Sequence, residues 1–284
     1  HYNFPIGVAT VGRVVTPGRG RSMFIATTTG TAATDRAEAM VKNAIYGIAA
    51  AKAAGIATPT LGILNVDTAR TVERGLQKLA EAGYEINFAS SVRKDGGSVM
   101  RGNDLLLGAP DIMVTDTLTG NVLMKVFSAF TSGGDYESVG FGYGPGIGEG
   151  YDKIILILSR ASGSPVVAGA ICYAAAVAKG KLLAVVTSEF AAARRAGLDA
   201  LFANKEQNRT SNVASEGVAP PKKIVTEEIA GIDILDLEIA VRVVWQAGIY
   251  ASTGMGCTGP VILVAKEDYD RAFALLASAG HIAK

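Results

Sequence analysis

Two cysteines are the strongest nucleophiles that the sequence offers. Cys257 lies in the segment GMGCTG at 254–259, flanked by Gly256 and Thr258, whereas Cys172 lies in the apolar segment VVAGAICYAAAV. Small neighbours leave room around a sulfur for a substrate carbonyl, and the backbone N–H groups of this loop, Gly256 and Thr258 included, are candidates to hold an oxyanion. The alternative for Cys257 is a small buried thiol in a tight turn, and both interpretations stay open. Cys172 is expected to lie in the core.

Histidine is too scarce for several common kinds of catalytic site. The sequence contains two, His1 near the start and His281 near the end. A Ser-His-Asp or Cys-His arrangement needs a histidine held rigidly beside the nucleophile, and a histidine-rich metal site needs several of them. We therefore expect no metal site. Catalysis would have to use carboxylates, backbone donors, Arg or Lys, hydroxyls, or an unaided cysteine.

The segment at 254–259 also matches the dinucleotide-binding pattern G-x-G-x-x-G letter for letter. That pattern needs a strand before it and a helix after it, so that the pyrophosphate meets the helix N-terminus. Here a predicted helix comes before the segment, and Pro260 with the strand-like VILV comes after it. We reject the dinucleotide interpretation and expect no cofactor.

One polar segment follows a predicted strand at 111–115 and opens a helix. Thr119, Gly120 and Asn121 can present a hydroxyl, bare backbone amides and a side-chain amide to an anion, and Lys125 follows in the same helix. The alternative is a helix N-cap, which accounts for some of these residues. The carboxyl ends of parallel strands are where α/β sheets bind ligands, so we favour binding.

A second segment repeats this layout after the apolar run KIILIL. Ser159, Arg160 and Ser162 precede Pro165, which suits the start of a helix. An Arg directly after an apolar run suits pairing with a phosphate or carboxylate, and the alternative is a surface salt bridge. The two segments are expected on neighbouring strand ends. Alternating glycines at 140–150 indicate either a mobile lid or a loop that closely approaches a ligand.

The elements that position these segments alternate between strand and helix. Apolar periodicity predicts strands at 23–26, 60–66, 84–90, 111–115 and 153–158. It predicts helices at 37–54 with a C-cap at Gly55, at 69–82, at 119–130 and at 165–179, and we favour helix for the ambiguous 182–203. This order predicts an α/β fold with an open, largely parallel sheet and helices on both faces.

A polar run separates this core from a smaller C-terminal part. Residues 204–223 show no apolar periodicity and contain Pro220-Pro221, which indicates a linker. We therefore predict a core at 1–203 and a small α/β module at 224–284. The module should contain a helix near 235–247, a glycine-rich loop, a strand at 261–265 and a helix at 267–279.

Composition places the 284-residue chain among soluble globular proteins, with 49% apolar and 19% charged residues. The formal charge is +1, from 27 basic and 26 acidic residues, which gives no field for nucleic acid or a membrane surface. The longest apolar stretch, 165–178, is too short to cross a bilayer. Two cysteines without a CxxC pair suggest a reducing cytoplasm. The start, HYNFPIGVAT, has no Met and no signal-peptide layout, so we expect the chain to lack an N-terminal portion of a longer one.

Three motifs together resemble those of proteins that make acyl phosphates. PDIMVTDTLTGNVLMK resembles the strand-to-helix segment of the phosphate acyltransferase of phospholipid synthesis. TLTGNVLMK and LSRASGSPVV resemble the phosphate-binding segments of phosphotransacetylases. With GMGCTGPV added, the chain is most similar, from Met23 to its end, to the alpha subunits of component C of glycine/sarcosine/betaine reductase. The resemblance implies the fold of the isocitrate dehydrogenase-like (phosphotransacetylase-like) group.

The resemblance also implies a reaction: phosphate releases an enzyme-bound acetyl thioester as acetyl phosphate. It implies that Cys257 carries the acetyl group and that Ser159 and Arg160 bind phosphate, which is a substrate. The implied partners are the component C beta subunit and the selenoprotein and carrier components, in an oligomer. An acidic residue of phosphotransacetylases falls where this chain has SGSPVV. This departure counts against a plain phosphotransacetylase. The alternative function is a phosphotransacetylase or phosphate acyltransferase acting on an acyl-CoA or acyl-carrier thioester, and a non-catalytic docking subunit is the second alternative.

Overall fold

A computed structural model describes residues 4–16, 18, 20–94, 96–129, 131–203, 219–230, 232, 237–256, 259–279 and 281–282. The chain divides into two compact units, His1–Ala203 and Asn204–Lys284. The linker expected at 204–223 is described only from residue 219 onward. Each unit has its own buried apolar cluster and is described separately.

The first unit is built on a mixed, largely parallel sheet, which confirms the predicted fold class. Its described strands are β1 (Val8–Val15), β2 (Ser22–Thr31), β3 (Thr60–Leu64), β4 (Asn87–Phe88), β5 (Val99–Met100), β6 (Ile112–Val114) and β7 (Gly146–Gly148). The order across the sheet is β4-β3-β6-β2-β1-β7, with β5 also paired to β3. Strands β2 to β6 pair in parallel, whereas β1 runs antiparallel to both β2 and β7.

Helices cover both faces of this sheet. They are α1 (Arg36–Ala53), α2 (Ala69–Glu81), α3 (Gly102–Leu107), α4 (Thr117–Ala129), α5 (Ser164–Lys179) and α6 (Leu182–Arg195), with a further helical stretch at 198–203. The helical interpretation of 182–203 is thus confirmed, while β1, β5, β7 and α3 were not predicted. Helix α1 ends before Gly55, whose φ of +101° suits glycine.

Alternation along β2 assigns α1 and α4 to opposite faces of the sheet. Phe24 and Ala26 belong to the apolar cluster that contains the buried side of α1. Ile25 belongs to the cluster that contains Met124 and Phe127 of α4. Because successive side chains of a strand point to opposite faces, the two helices sandwich the sheet between them.

The strand predicted at 153–158 is wrong. Within it, Ile157 forms an isolated antiparallel bridge with Tyr143 and the Ile155 carbonyl accepts from the Gly146 N–H of β7, but the run forms no strand of the sheet. The sheet edge here is taken by β7, which comes from the glycine-rich stretch, and residues 142–148 are buried. The apolar run instead packs Ile154 and Leu156 against the core. The segment that begins with Ser159 therefore does not follow a strand of the sheet.

The expectation that Cys172 lies in the core is also wrong, because this thiol is exposed. Helix α5 is apolar on all sides, but its buried residues, Val166, Ala170, Tyr173 and Val177, form a single face. Cys172 lies on another face of the helix, next to Ile171, which is exposed as well.

None of the described helices is long and apolar enough to cross a membrane alone; α5 and α6 pass that test only as a pair bent by 61°.

The second unit contains a small antiparallel sheet with two helices. Its described elements are β8 (Glu227–Ile229), α7 (Leu237–Gln246), β9 (Ala251–Gly256), β10 (Gly259–Val264), a 3-10 turn at Lys266–Asp268 and α8 (Tyr269–Ser278). The sheet order is β8-β10-β9. The glycine-rich loop that we predicted before the strand at 261–265 is mostly a strand itself. It forms β9, which pairs with β10 from Ala251 to Gly256 in a hairpin register. Backbone pairing decides this, because glycines leave no periodic apolar signal.

Candidate functional site

A cavity of about 290 Å³ lies at the carboxyl ends of the parallel strands β2 and β6. Its walls come from the segments that join these strands to α1 and α4, and from the first turns of those helices; they are Thr31, Ala33, Thr34, Arg36, Ala39, Met40, Asn43, Asp116, Thr117 and Leu118. The buried Asn43 has an Oδ1 that accepts no hydrogen bond from the protein. Together with the Asp116 carboxylate, this wall presents acceptors, which suit a hydrogen-bond donor better than a phosphate.

Asp116 caps the start of α4. Its carboxylate accepts hydrogen bonds from the Thr119 backbone N–H (3.0 Å) and from the Thr119 Oγ1 (2.7 Å). Burial would raise the pKa of Asp116, but these hydrogen bonds and the charge of Arg36 outweigh it and hold the pKa below its usual range. The carboxylate is therefore ionised at neutral pH. These contacts favour the helix-cap alternative for Thr119.

Gly120 and Asn121 join α4 to the neighbouring strand. The Gly120 N–H donates to the Asp116 carbonyl at 3.0 Å, and a Cβ at Gly120 would overlap the Thr27 carbonyl oxygen. Glycine therefore allows the helix to lie directly on β2. The Asn121 Nδ2 donates to the Thr28 carbonyl at 3.3 Å. The Gly120 N–H is already bonded within α4, so the role that the structure supports for Gly120 is the close packing of α4 against β2.

A second polar cluster forms around Glu137, which the sequence had not singled out. The Lys125 Nζ and the Tyr143 Oη both donate to Glu137 Oε1 at 2.8 Å, and the Ser162 Oγ donates to Oε2 at 2.9 Å. The Lys125 Nζ also donates to the Tyr143 Oη at 3.1 Å. The Glu137 side chain is 7% exposed, whereas that of Lys125 is 51% exposed. A buried carboxylate thus connects a half-exposed ammonium to the turn that contains Ser162.

The protonation states in this cluster follow from its contacts. Burial would raise the pKa of Glu137, but the hydrogen bonds from Lys125, Tyr143 and Ser162 and the Lys125 charge outweigh it, so the pKa lies below its usual range. Burial and the hydrogen bond to Glu137 raise the pKa of Tyr143, which keeps its hydroxyl protonated as a donor. Glu137 is therefore an anion that accepts hydrogen bonds and is a poor proton acceptor for catalysis.

The turn at 159–163 is closed by its own serines and by Glu137. The Ser159 N–H donates to the Ser162 Oγ at 3.0 Å, and the Ala161 N–H donates to the Ser159 Oγ at 2.9 Å. The Glu137 N–H donates to the Ala161 carbonyl at 2.7 Å, and the Gly163 N–H donates to the Glu137 carbonyl at 2.8 Å. Arg160 is exposed on this turn. Helix α5 begins next, without a side-chain cap and without an acidic residue in its first turn.

The structure thus brings Lys125, Ser159 and Ser162 together, with Arg160 on the same turn. Asn121 precedes Lys125 by four residues in α4, so the two lie on the same side of that helix. The sequence missed Glu137 and Tyr143 because they belong to a glycine-rich segment without periodicity. The one available signal was the need of Lys125, in a largely apolar helix, for an acidic partner.

The predicted nucleophile Cys257 and its neighbour Thr258 lie outside the described residues. Gly256 ends β9 and pairs with Gly259 at the start of β10. The described residues of the motif GMGCTG therefore lie at the end of β9 and the start of β10, and the next α-helix begins at Tyr269. Among the residues that the structure describes, no group of three or more His, Cys, Asp or Glu side chains is arranged to hold a metal ion.

Comparison with known proteins places the chain in a family. A family described as "Fatty acid synthesis protein" matches residues 1–263. Over its whole length the chain is 59% identical to the glycine/sarcosine/betaine reductase complex component C subunit alpha of Peptoclostridium acidaminophilum, and it covers 74% of that protein.

Shorter matches link the chain to phosphate acyltransferases. The chain is 37% identical over 95 residues to the phosphate acyltransferase of Phenylobacterium zucineum and 38% identical over 87 residues to that of Gluconacetobacter diazotrophicus. These matches span 31% and 30% of this chain, and 25% and 22% of the two enzymes. With the family match and the full-length similarity taken together, the chain belongs to the fatty acid synthesis protein family, as a relative of component C subunit alpha of the glycine/sarcosine/betaine reductase complex.

Proposed function

We propose that this chain is an acetyltransferase subunit that releases an enzyme-bound acetyl thioester with inorganic phosphate to give acetyl phosphate. The similarity to phosphate acyltransferases and to a component C alpha subunit supports an acyltransferase role. The observation that carries the proposal is the convergence of Lys125 with the Ser159–Ser162 turn around Glu137. These are the groups at which the sequence predicts phosphate.

The cluster suits phosphate because the reaction asks for little proton transfer. The phosphate dianion is already nucleophilic near neutral pH, so it needs positioning and charge neutralisation more than a general base. Lys125 and Arg160 supply two exposed cations, and the first turn of α5 contains no acidic residue. Ser159 adds a hydroxyl group in the same turn, whereas the Ser162 hydroxyl is already bonded to Glu137. Glu137, already bonded to three donors, has no role as a base in this scheme.

The proposed step transfers the acetyl group from sulfur to oxygen. A phosphate oxygen bonds to the carbonyl carbon of the acetyl thioester on Cys257, and the carbonyl oxygen becomes an oxyanion. Collapse of this tetrahedral species breaks the carbon–sulfur bond, and the electron pair stays on the sulfur as a thiolate. Gly256 and Thr258 are proposed to stabilise the oxyanion through their backbone N–H groups. These last assignments rest on the sequence.

We also propose that the chain works within a larger assembly. The relative from Peptoclostridium acidaminophilum is named as a subunit of a reductase complex. By that similarity, the proposed partners are a component C beta subunit and the selenoprotein and carrier components, which would deliver the acetyl group during glycine, sarcosine or betaine reduction. Phosphate and acetyl phosphate are the proposed small-molecule ligands.

Arsenate tests the proposed chemistry without the partners. Arsenate can replace phosphate as the acceptor, and acetyl arsenate hydrolyses spontaneously to acetate. An enzyme that passes acetyl reversibly between a thiol and phosphate therefore destroys acetyl phosphate when arsenate is added. We expect the full chain to show this arsenate-dependent loss, measured as the acetyl phosphate that remains with time.

Two cysteine variants form the control pair. Cys257→Ser should lose the activity, because an unassisted hydroxyl is a far poorer nucleophile than a thiolate. Cys172→Ser should keep it, because Cys172 is an exposed residue of α5. Full activity in Cys257→Ser would contradict the covalent step and leave direct transfer at Arg160. If coenzyme A supports acetyl exchange in that variant, the phosphotransacetylase alternative is the better account.

A further inference from the structure

Glu137 is the one acidic residue, within the described part of the chain, that bonds to both halves of the proposed phosphate site. Its Oε1 accepts from Lys125 on α4, and its Oε2 accepts from Ser162 on the turn before α5. Its backbone adds two hydrogen bonds to the same turn, through Ala161 and Gly163. Side chain and main chain of a single residue therefore fix the distance between α4 and this turn.

Stability alone gives little reason to keep a carboxylate here. Burying a charge has a large desolvation cost, and an apolar residue of similar size is often as stabilising as a buried ion pair. The Glu137 side chain is 7% exposed, and each carboxylate oxygen accepts a hydrogen bond. These bonds offset the desolvation cost of the buried charge, but they need not add to the stability of the fold. A charge retained in such a position is more readily explained by what it holds in place.

The contacts of Glu137 determine where its two partners point. The Lys125 ammonium gives one proton to Glu137 and one to Tyr143, which leaves a third for a ligand at its exposed side. The Ser162 hydroxyl gives its proton to Glu137, so its lone pairs face the Ser159 N–H. That bond fixes the backbone next to Arg160.

We infer that Glu137 is a positioning residue of the phosphate site, which holds the Lys125 ammonium and the Ser159–Ser162 turn at the spacing that one phosphate requires. This inference rests on the proposed function. Glu137 does not touch phosphate in this account. Its negative charge weakens the attraction of the site for an anion, and its geometry increases the rate of transfer.

Glu137→Gln separates these two effects because it removes the charge and keeps the shape. The amide oxygen can still accept from Lys125, but the amide nitrogen is a donor and cannot accept the Ser162 proton. Misplacement of reacting groups by such a change is expected to lower kcat by about 10²-fold. Loss of the negative charge is expected to lower the phosphate KM and Kd by at least about fivefold, which is the effect of one unit charge about 4 Å away at the dielectric constant of water; burial of Glu137 increases this effect.

Glu189 provides a matched control on the same unit. It is also a buried glutamate, with a side chain 10% exposed, that accepts from a lysine (Lys52 Nζ, 2.7 Å) and a tyrosine (Tyr84 Oη, 2.9 Å). Lys52 belongs to α1, which lies on the opposite face of the sheet from α4 and its Lys125. Glu189→Gln should lower Tm much as Glu137→Gln does, with kcat and the phosphate Kd unchanged.

The experiment compares arsenate-dependent turnover, phosphate Kd by calorimetry and Tm for the full-length wild type and both Gln variants. The expected result is lower kcat and tighter phosphate binding in Glu137→Gln only. Equal Tm losses in both variants, with unchanged kcat and phosphate Kd, would make Glu137 merely structural and overturn the inference.

If Glu137→Gln does not fold, Ser162→Ala should lower kcat while leaving the phosphate Kd within twofold of the wild type; an unchanged kcat would overturn the inference. A wild type without turnover would refute the proposed function, and a phosphate Kd that is then equal in the wild type and in Glu137→Gln would also overturn the place of Glu137 at the phosphate site.

Discussion

Replacement of Gly120 by alanine should destabilise the first unit, although alanine is the better helix former. A Cβ at Gly120 would overlap the backbone carbonyl of Thr27, which cannot rotate away as a side chain can. Helix α4 must then move off β2. Overpacking of this kind costs about 3 kcal/mol, the upper part of the usual range, and the gain in helix propensity returns about 1 kcal/mol. The expected net loss in the free energy of unfolding is about 2 kcal/mol.

Gly75 in α2 is the matched control, because it is also a glycine inside a helix. A Cβ at Gly75 would meet Val41 Cγ2 at 3.5 Å and Leu201 Cδ1 at 3.9 Å, which are ordinary van der Waals contacts. Gly75→Ala should therefore gain about 0.5–1 kcal/mol from helix propensity alone. The two Gly→Ala variants should then differ by about 3 kcal/mol and have opposite signs relative to the wild type.

Urea unfolding followed by circular dichroism measures this difference, with the free energy obtained by linear extrapolation. For a unit of this size, a loss of 2 kcal/mol corresponds to a Tm about 4–8 °C lower. If Gly120→Ala is as stable as Gly75→Ala, α4 does not lie as close to β2 as described. The packing role of Gly120 would then be refuted.

Three further outcomes follow from the site and its surroundings. Asp116→Ala should lower the free energy of unfolding by about 1 kcal/mol at neutral pH, because it removes an N-cap. Folding lowers the pKa of Asp116, so its contribution to stability is present above the unfolded pKa of about 3.9 and is lost as the pH falls through the folded pKa. The difference between variant and wild type in urea unfolding should therefore disappear in acid. Phosphate at about 100 times its Kd should stabilise the wild type by about 2.7 kcal/mol, and Arg160→Ala should lose this protection while its unliganded stability stays within about 0.5 kcal/mol; undiminished protection would move the site elsewhere. Cys172 should react with iodoacetamide in the native protein, and Cys172→Ser should change the free energy of unfolding by no more than about 0.5 kcal/mol, whereas a thiol that reacts only after unfolding would contradict its exposure.

Local periodicity was enough to predict most of the parallel part of the sheet, because those strands and helices bury apolar faces at regular spacing. Strand β1 has no such signal, since Arg13 interrupts it. In the structure the Arg13 guanidinium lies over the rings of Phe24 and Phe141, 5.5 and 5.0 Å from their centroids. The run at 153–158 shows the reverse case: it is apolar enough for a strand, but β7 takes the sheet edge. Backbone pairing decides both cases, and the apolar periodicity of a single segment does not encode it.

The candidate site was predictable to a similar extent. Lys125, Ser159 and Ser162 stand out by type and position, and the structure brings them together. Glu137 does not stand out, because a glutamate in a polar, glycine-rich segment is typical of an exposed loop. Its burial arises only when that segment packs between α4 and the turn before α5. A helix N-cap was the alternative that the sequence offered for the segment at 119–121, but that Asp116 is the cap and accepts both hydrogen bonds from Thr119 required coordinates.

The most direct test of the proposed reaction is the intact mass of the full chain after incubation with acetyl phosphate. We expect one added acetyl group, located on Cys257 by peptide mapping and removed when phosphate is added in excess. Cys257→Ser should show no adduct, and Cys172→Ser should show the same adduct as the wild type. A wild type that acquires no acetyl group, or a Cys257→Ser variant that acquires as much as the wild type, would contradict the central claim that acetyl passes between this cysteine and phosphate.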